Sequence, residues 1–402
     1  MSFCVGEERT GEASPDRAAG TKVTRILYIQ YTNPAAYPPL EHSSRLLADA
    51  GFRVLFLGTG SHGAEKLEFP PHPNIRVNLM GFCAAGWRQK LHYVRYSLWV
   101  IGWVLCWRPQ WIYASEVLSC PVALLMSYVP GVRVLYHEHD TPQKAAASRF
   151  LRWCLAARHR LARRAATCVL PNAERAARFA ELTAAASVNC VWNCPTTDEV
   201  GPPRGPVEQD VWLLYHGSIT PPQLPTTILD ALGRLPTHVK LRVIGYETIG
   251  HPNYVQQLRN RAGQLGVGDR FEYLGSMPTR EELLSWCGRS DIGLALFAKN
   301  GLQPMTGASN KPFDYLARGC ALLVSDLPDW RQMYGDPGYA RACDPDDPDS
   351  IASEVCWFLE HPDQMRAMGE AGRQRILDDW NYQAQFRLVS QKILEIGHEF
   401  RN

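Results

Sequence analysis

The chain has 402 residues, beyond the size at which a single core stops growing, so two domains of about 180 residues each are expected. With 46% hydrophobic residues, 20% charged residues and a formal charge of +2, it has the balance of an ordinary soluble α/β protein, and nothing global points to nucleic acid. The twelve cysteines are scattered without a C-x-x-C pair, and several, such as Cys106, Cys168 and Cys320, sit in apolar or strand-like runs. That usage fits reduced thiols of a cytosolic protein better than a disulfide framework.

Residues 1–22 are rich in Gly, Ala, Glu and Arg, lack the apolar centre of a signal peptide and read as a disordered leader. Arg25–Gln30 (RILYIQ) reads as a strand, Leu40–Ala50 as a helix and Arg53–Leu57 (RVLFL) as a second strand, a βαβ opening. Trp111–Ala114, Val132–Tyr136 and Thr167–Leu170 continue the strand series, with helical stretches near 85–107, 119–128 and 148–165. The most apolar run, Ser97–Trp107, has eleven residues, short of the roughly 18 that mark a membrane span. Cys190 and Cys194 flank Asn193 in NCVWNCP, but no second ligand pair supports zinc. The first domain is therefore placed at 23–195.

Residues 196–209 are rich in Pro, Gly, Asp and Glu and read as a linker. The alternation then restarts. Val211–Tyr215, Lys240–Ile244, Arg270–Leu274, Ile292–Phe297 and Cys320–Val324 read as strands, with helices near 224–235, 253–265 and 280–287 between them. A second domain over 210–380 follows, with a C-terminal helix in 381–402 that can cross back to the first domain. Each half reads as a Rossmann-like sheet, and open α/β sheets bind ligands beyond the carboxyl ends of their strands. CDPDDPDS near residue 345 resembles an acidic metal cluster but reads better as a loop ending in a cap at Asp349 or Ser350.

The most informative stretch is Ser309–Pro328 (SNKPFDYLARGCALLVSDLP). Asn310 suits a cap, Pro312 the first helical turn and Gly319 the stop, and a short apolar strand follows. The helix start suits a diphosphate. Asp314 can accept hydrogen bonds from a ribose diol, or can simply complement the helix dipole. Gly217, Gly245 and Gly275 each follow a strand and allow close approach of one nucleotide, although each alone is also an ordinary turn glycine. In YHEHD, His137 and His139 fall on one side if the strand persists; a metal site there lacks further ligands, and a strand-end turn is the plainer alternative.

Taken together, HGSI with LP following, VIGYE, YLGSMP, SDIGLAL and SNKPFDYLARG before LLVSDLP resemble the retaining glycosyltransferases of family 4, or glycosyltransferase group 1, type. YHEHD, VLPNAERAARF and VWNCP extend the likeness to the first half, so that it covers most of residues 24–395. The resemblance implies the α/β GT-B fold, two Rossmann-like domains facing across a cleft. It implies transfer from a nucleoside diphosphate sugar with retention at the anomeric carbon and no obligatory metal or other cofactor. The leaving diphosphate then helps remove the acceptor proton, and placement outweighs any single general base.

By the same resemblance, His139 lies near the donor sugar, Asp140 follows it, and Asp314 takes the place of the second glutamate of an E-x7-E element. The donor site would include Gly217, Ser218, Gln223, Gly245, Tyr246, Gly275, Ser276, Met277, Thr306, Ser309, Asn310 and Lys311. Two departures stand out: the first glutamate falls on Thr306, and the basic pair that grips the diphosphate falls on Ser218 and Gln223. Lys311 and arginines of the first domain are the candidates to compensate. Without compensation the chain would be a degenerate scaffold or partner subunit; a nucleotide-sugar 2-epimerase would need further cleft acids and bases.

Between Trp87 and Arg175 there are thirteen Lys or Arg and four acids, a local +9 in a chain of +2, and the first part of that region also carries Trp87, Tyr93, Tyr96, Trp99, Trp103 and Trp107. This suits an anionic membrane surface as well as it suits a solvated basic face. The expectation is a cytoplasmic glycosyltransferase, peripheral at the inner face of the membrane, acting on a glycan or lipid-linked acceptor in cell-surface polysaccharide or glycolipid synthesis.

Overall fold

The computed structural model describes residues 23–61, 65–140, 148–206, 209–248, 250–297 and 305–399; the leader expected at 1–22 lies outside them. The first half contains β1 (Arg25–Ile29), α1 (Pro38–Asp49), β2 (Arg53–Thr59), β3 (Ile75–Met80), α2 (Trp87–Trp107) and β4 (Trp111–Ser115). After these come α3 (Cys120–Met126), β5 (Arg133–His137), α4 (Arg149–Arg164), β6 (Thr167–Leu170), α5 (Ala173–Thr183) and β7 (Val188–Cys190). The seven strands form a parallel sheet in the order β3-β2-β1-β4-β5-β6-β7. Alternate residues feed two cores: Leu27 and Ile29 of β1 face one layer, Ile26 and Tyr28 the other.

The second half contains β8 (Val211–Ile219), α6 (Thr227–Arg234), β9 (Val239–Glu247), α7 (Tyr254–Gln264), β10 (Phe271–Gly275), α8 (Arg280–Gly288) and β11 (Ile292–Ala295). It continues with α9 (Lys311–Ala317), β12 (Ala321–Ser325), α10 (Pro328–Trp330), β13 (Ala340–Cys343), α11 (Pro348–Glu360) and α12 (Pro362–Asp378). Its six strands are also parallel, in the order β10-β9-β8-β11-β12-β13. The last helix, α13 (Tyr382–Glu399), buries Tyr382, Phe386, Val389 and Ile393 in the core of the first sheet, beside Leu40 and Leu47 of α1.

Several local expectations are corrected. Strands β3, β7 and β13 and helix α5 were not anticipated; β3, β7 and β13 are sheet edges, where burial is partial and the apolar signal is weak. The cap of α11 is Asp347, whose side chain accepts Asp349 N at 2.9 Å, not Asp349 or Ser350. Cys106 is exposed rather than packed in the core. Asn310 has helical φ and ψ and no capping bond, although Gly319 ends the segment in the left-handed region at φ +69° as expected.

Candidate functional site

A cleft of about 310 Å³ lies between the halves, at the carboxyl ends of both sheets. Its floor on the second-domain side is made by a glycine pair. Gly217 and Gly245 stand opposite each other in the β8–β9 register, and both have positive φ, +111° and +143°. A Cβ on Gly245 would fall 1.8 Å from Gly217 O, so any side chain there would force the strands apart.

Lys311, at the start of α9, lies over this floor. A Cβ on Gly217 would meet Lys311 Cε at 3.1 Å, and the ammonium donates to Gln223 Oε1 at 3.2 Å. Lys311 is 6% exposed, and burial, partly offset by Asp314, pulls its pKa down to about 8. Helix α9 thus brings one ammonium beside Gly217 and Gln223, where the sequence has no cation of its own.

Asp314 is positioned otherwise than a direct ribose contact requires. Its carboxylate is fully buried and takes Arg280 Nη2 at 2.6 Å, Arg280 Nη1 at 3.3 Å and Asn310 Nδ2 at 3.2 Å. The physical reason is Arg280, at the start of α8, which covers Asp314 and itself lines the cleft. On its other side Arg280 pairs with Glu199, whose Oε2 lies 3.1 Å from His42 Nε2 of α1. Burial would raise the Glu199 carboxyl, but Arg280 and His42 overcome it and hold the group well below the usual carboxylate range. His216 Nε2 stands 3.5 Å from Asp314 and is kept neutral by burial, with Lys311 and Arg280 pushing the same way.

The first-domain wall is the strand end that carries YHEHD. Both histidines are buried, with ring centroids 3.9 Å apart. His139 Nε2 is 3.2 Å from Ser115 Oγ, and burial together with Arg175 pushes its pKa down to about 3, so the ring is neutral. Glu116 Oε1 accepts the backbone N–H groups of His139 at 2.7 Å and Asp140 at 3.1 Å, tying the turn down. Arg175 Nη2 donates to His139 O at 2.7 Å. Arg175 Nε, His139 Nδ1, Ser309 Oγ and Asn193 Oδ1 are buried without hydrogen-bond partners, and all four residues line the cleft. A concentration of unmet polar atoms in one concavity marks a place for a polar ligand.

Of the residues singled out from sequence, the cleft brings together His139, Asp140, Gly217, Ser218, Gln223, Gly245, Tyr246, Ser276, Met277, Ser309, Asn310 and Lys311. Gly275, Thr306 and Asp314 do not line it; Thr306 O instead accepts Asn172 Nδ2 at 2.7 Å across the domain boundary. Sequence reading missed Tyr37, Arg175, His216 and Arg280. Arg175 follows Asn172, whose Oδ1 caps α5 by accepting Arg175 N at 3.0 Å, a signal present in PNAER. Thr279 caps α8 in the same way and sets Arg280 in its first turn. Among the described residues there is no group of three or more His, Cys, Asp or Glu arranged to hold a metal.

Residues 226–390 match the family model described as glycosyl transferase-like. The fold is shared with sucrose-phosphate synthase from Thermosynechococcus elongatus (TM-score 0.71, 14% identity, 94% of this chain and 100% of that one). HepE from Anabaena, solved with UDP and glucose, gives a TM-score of 0.70 at 15% identity over 92% of this chain and 100% of its own. WaaG, a glycosyltransferase involved in lipopolysaccharide biosynthesis, gives 0.66 at 13% identity over 91% and 98%. No curated protein sequence matches the chain. Residues 226–390 are thus similar to the glycosyl transferase-like family, and the chain as a whole has the two-domain GT-B fold of these structures.

Proposed function

We propose that this chain is a glycosyltransferase that moves a sugar from a nucleoside diphosphate sugar to a glycan or lipid-linked acceptor, with retention at the anomeric carbon and without an obligatory metal. The observation that carries the donor assignment is the Lys311 ammonium beside Gly217 and Gln223, over a floor that admits no side chain. A diphosphate laid on that floor meets Lys311, while Arg175 adds positive charge from the first-domain wall. HepE has been solved with UDP-glucose, which supports a nucleotide sugar as the ligand class. With retention, the acceptor hydroxyl attacks from the face that the diphosphate leaves, and a diphosphate oxygen takes its proton. The neutral His139 then orients the sugar by hydrogen bonding rather than carrying charge.

The reading extends to a membrane-borne acceptor at the cytoplasmic face. Helix α2 exposes Trp87, Leu91, Val94, Leu98 and Leu105, contains Arg88, Lys90 and Arg95, and has no acidic residue. No described helix is long and apolar enough to cross a membrane, so contact with lipid would be interfacial.

The test is calorimetric titration with UDP, GDP, ADP, CDP and dTDP. One of them binds saturably to the wild type, and Lys311→Ala loses about 1.5–3 kcal/mol of it, roughly tenfold to a hundredfold. Because Lys311 carries its charge below about pH 8 and loses it above, affinity holds at neutral pH and declines as pH rises past that value. The phosphates are already ionised there, so Lys311→Arg abolishes the decline. Absence of binding by all five would overturn the donor assignment.

A further inference from the structure

A second cavity, of about 720 Å³, lies at the amino ends of the second domain's strands, remote from the glycine floor. One wall is residues 201–206, the approach to β8; the others carry the residues just before β11 and just after α8 and α9. Among the described lining residues, Arg204, Arg242, Arg289, Arg318 and Arg366 face Asp210 and Asp291; with Glu272 paired to Arg242, five arginines meet three carboxylates, an excess of two positive charges.

The ion pairs within it are few. Arg242 Nε is committed to Glu272 at 2.8 Å, and its guanidinium is stacked 3.9 Å from the Trp212 ring centroid. Arg204 and Arg366 share one oxygen of Asp291, at 3.4 and 2.8 Å, while its other oxygen accepts Trp212 N at 2.8 Å. Arg318 Nε, Arg366 Nε and Arg366 Nη1 are buried with no acceptor. Three unmet guanidinium N atoms on one positively charged cavity are costly unless an anion completes them.

We propose that this cavity binds a phosphate dianion, either inorganic phosphate or the phosphate of a small phosphomonoester. Guanidinium N–H groups make charge-assisted hydrogen bonds to phosphate, and the three terminal oxygens of a phosphate match three unmet donors spread over two arginines. A dianion also leaves the cavity nearer neutrality than one carboxylate would. The site is separate from the donor's diphosphate, which belongs at the carboxyl ends of the same strands.

The experiment titrates the full chain with inorganic phosphate and, in a second arm, with glycerol phosphate, following heat and melting temperature. Phosphate binds saturably at millimolar concentration and raises the melting temperature. Lys311→Ala, which removes the cleft ammonium, retains this binding, whereas Arg318→Gln weakens it at least about tenfold. Arg366→Lys, which keeps the charge but removes the Nε and Nη1 donors, weakens it as well. Binding in both arms identifies an esterified ligand and binding of inorganic phosphate alone the free anion; silence in both overturns the site. Loss in Lys311→Ala, or full affinity in both arginine variants, overturns it too. Nucleotide binding is read independently, so failure here leaves the donor assignment standing.

Discussion

Glu116 holds a backbone conformation, φ +67° and ψ 165°, that is largely reserved for glycine and costs a side-chain-bearing residue about 1–3 kcal/mol. The strain lies beside the cleft: the Glu116 side chain anchors the turn that presents His139 and Asp140 to it. Burial, with Asp140 and Glu138 adding repulsion, pushes its pKa up to about 8. Glu116→Ala and Glu116→Gly remove the same acceptor and differ in strain alone. The Gly variant should therefore be more stable than the Ala variant by about 1–3 kcal/mol, while both transfer sugar equally slowly, at least about tenfold below wild type. Glu116→Gln keeps an acceptor oxygen and restores most of the rate. Melting curves beside kcat decide it; wild-type kcat in the Gly variant would mean that the turn needs no anchor. His137 and His139 were legible as a strand-end pair, and His139 and Asp140 as cleft residues by resemblance, but Glu116 was not, because the contact joins strand ends 23 residues apart.

Elements were legible where burial is deep. The central strands of both sheets announce themselves as apolar runs, whereas the edges β3, β7 and β13 keep polar residues such as Arg76, Asn189 and Arg341 and lose the signal. Helix α2 is the reverse case, apolar on too many sides. Tyr93, Tyr96, Val100 and Val104 bury its inner face, and Trp87, Leu91, Val94, Leu98 and Leu105 make an outer apolar face that is exposed among the described residues. The basic region of the sequence also divides in space: Arg158 is paired with Glu138 in the core and Arg175 belongs to the cleft, while Arg149, Arg152, Arg160, Arg163 and Arg164 remain exposed. Lys144 lies outside the described residues. Full burial of one Leu is worth about 1.5–3 kcal/mol, so Leu91→Ser with Leu98→Ser should lower partitioning onto anionic vesicles by roughly tenfold or more. Stability should stay within about 0.5 kcal/mol, as for other exposed positions. Co-sedimentation unchanged in the double variant, or equal on zwitterionic vesicles, would remove the membrane from the proposal.

Across the whole molecule, the halves are tied by backbone and by charge. Asn193 N and Nδ2 donate to Gly307 O and Ala308 O at 2.8 and 2.6 Å, Glu68 N donates to Pro278 O at 2.9 Å, and α13 returns to the first core. The charged tie runs from His42 through Glu199 to Arg280 and Asp314, and it was hidden in sequence because Glu199 lies in a Pro- and Gly-rich stretch that reads as a linker. Removing one partner of a buried pair leaves the other charge uncompensated, so Glu199→Gln should cost about 3–5 kcal/mol at neutral pH. The pH dependence follows from the direction of the shift. The folded Glu199 carboxyl titrates well below its unfolded value of about 4.3, so its contribution is complete above that pH and is lost as pH falls through the folded pKa. Wild type and Glu199→Gln should then melt far apart at pH 7 and converge on acidification below about pH 4. A gap that stays constant from pH 7 to the acid limit would assign the loss to packing instead of charge, and Arg280 would no longer depend on Glu199 for its place in the cleft wall.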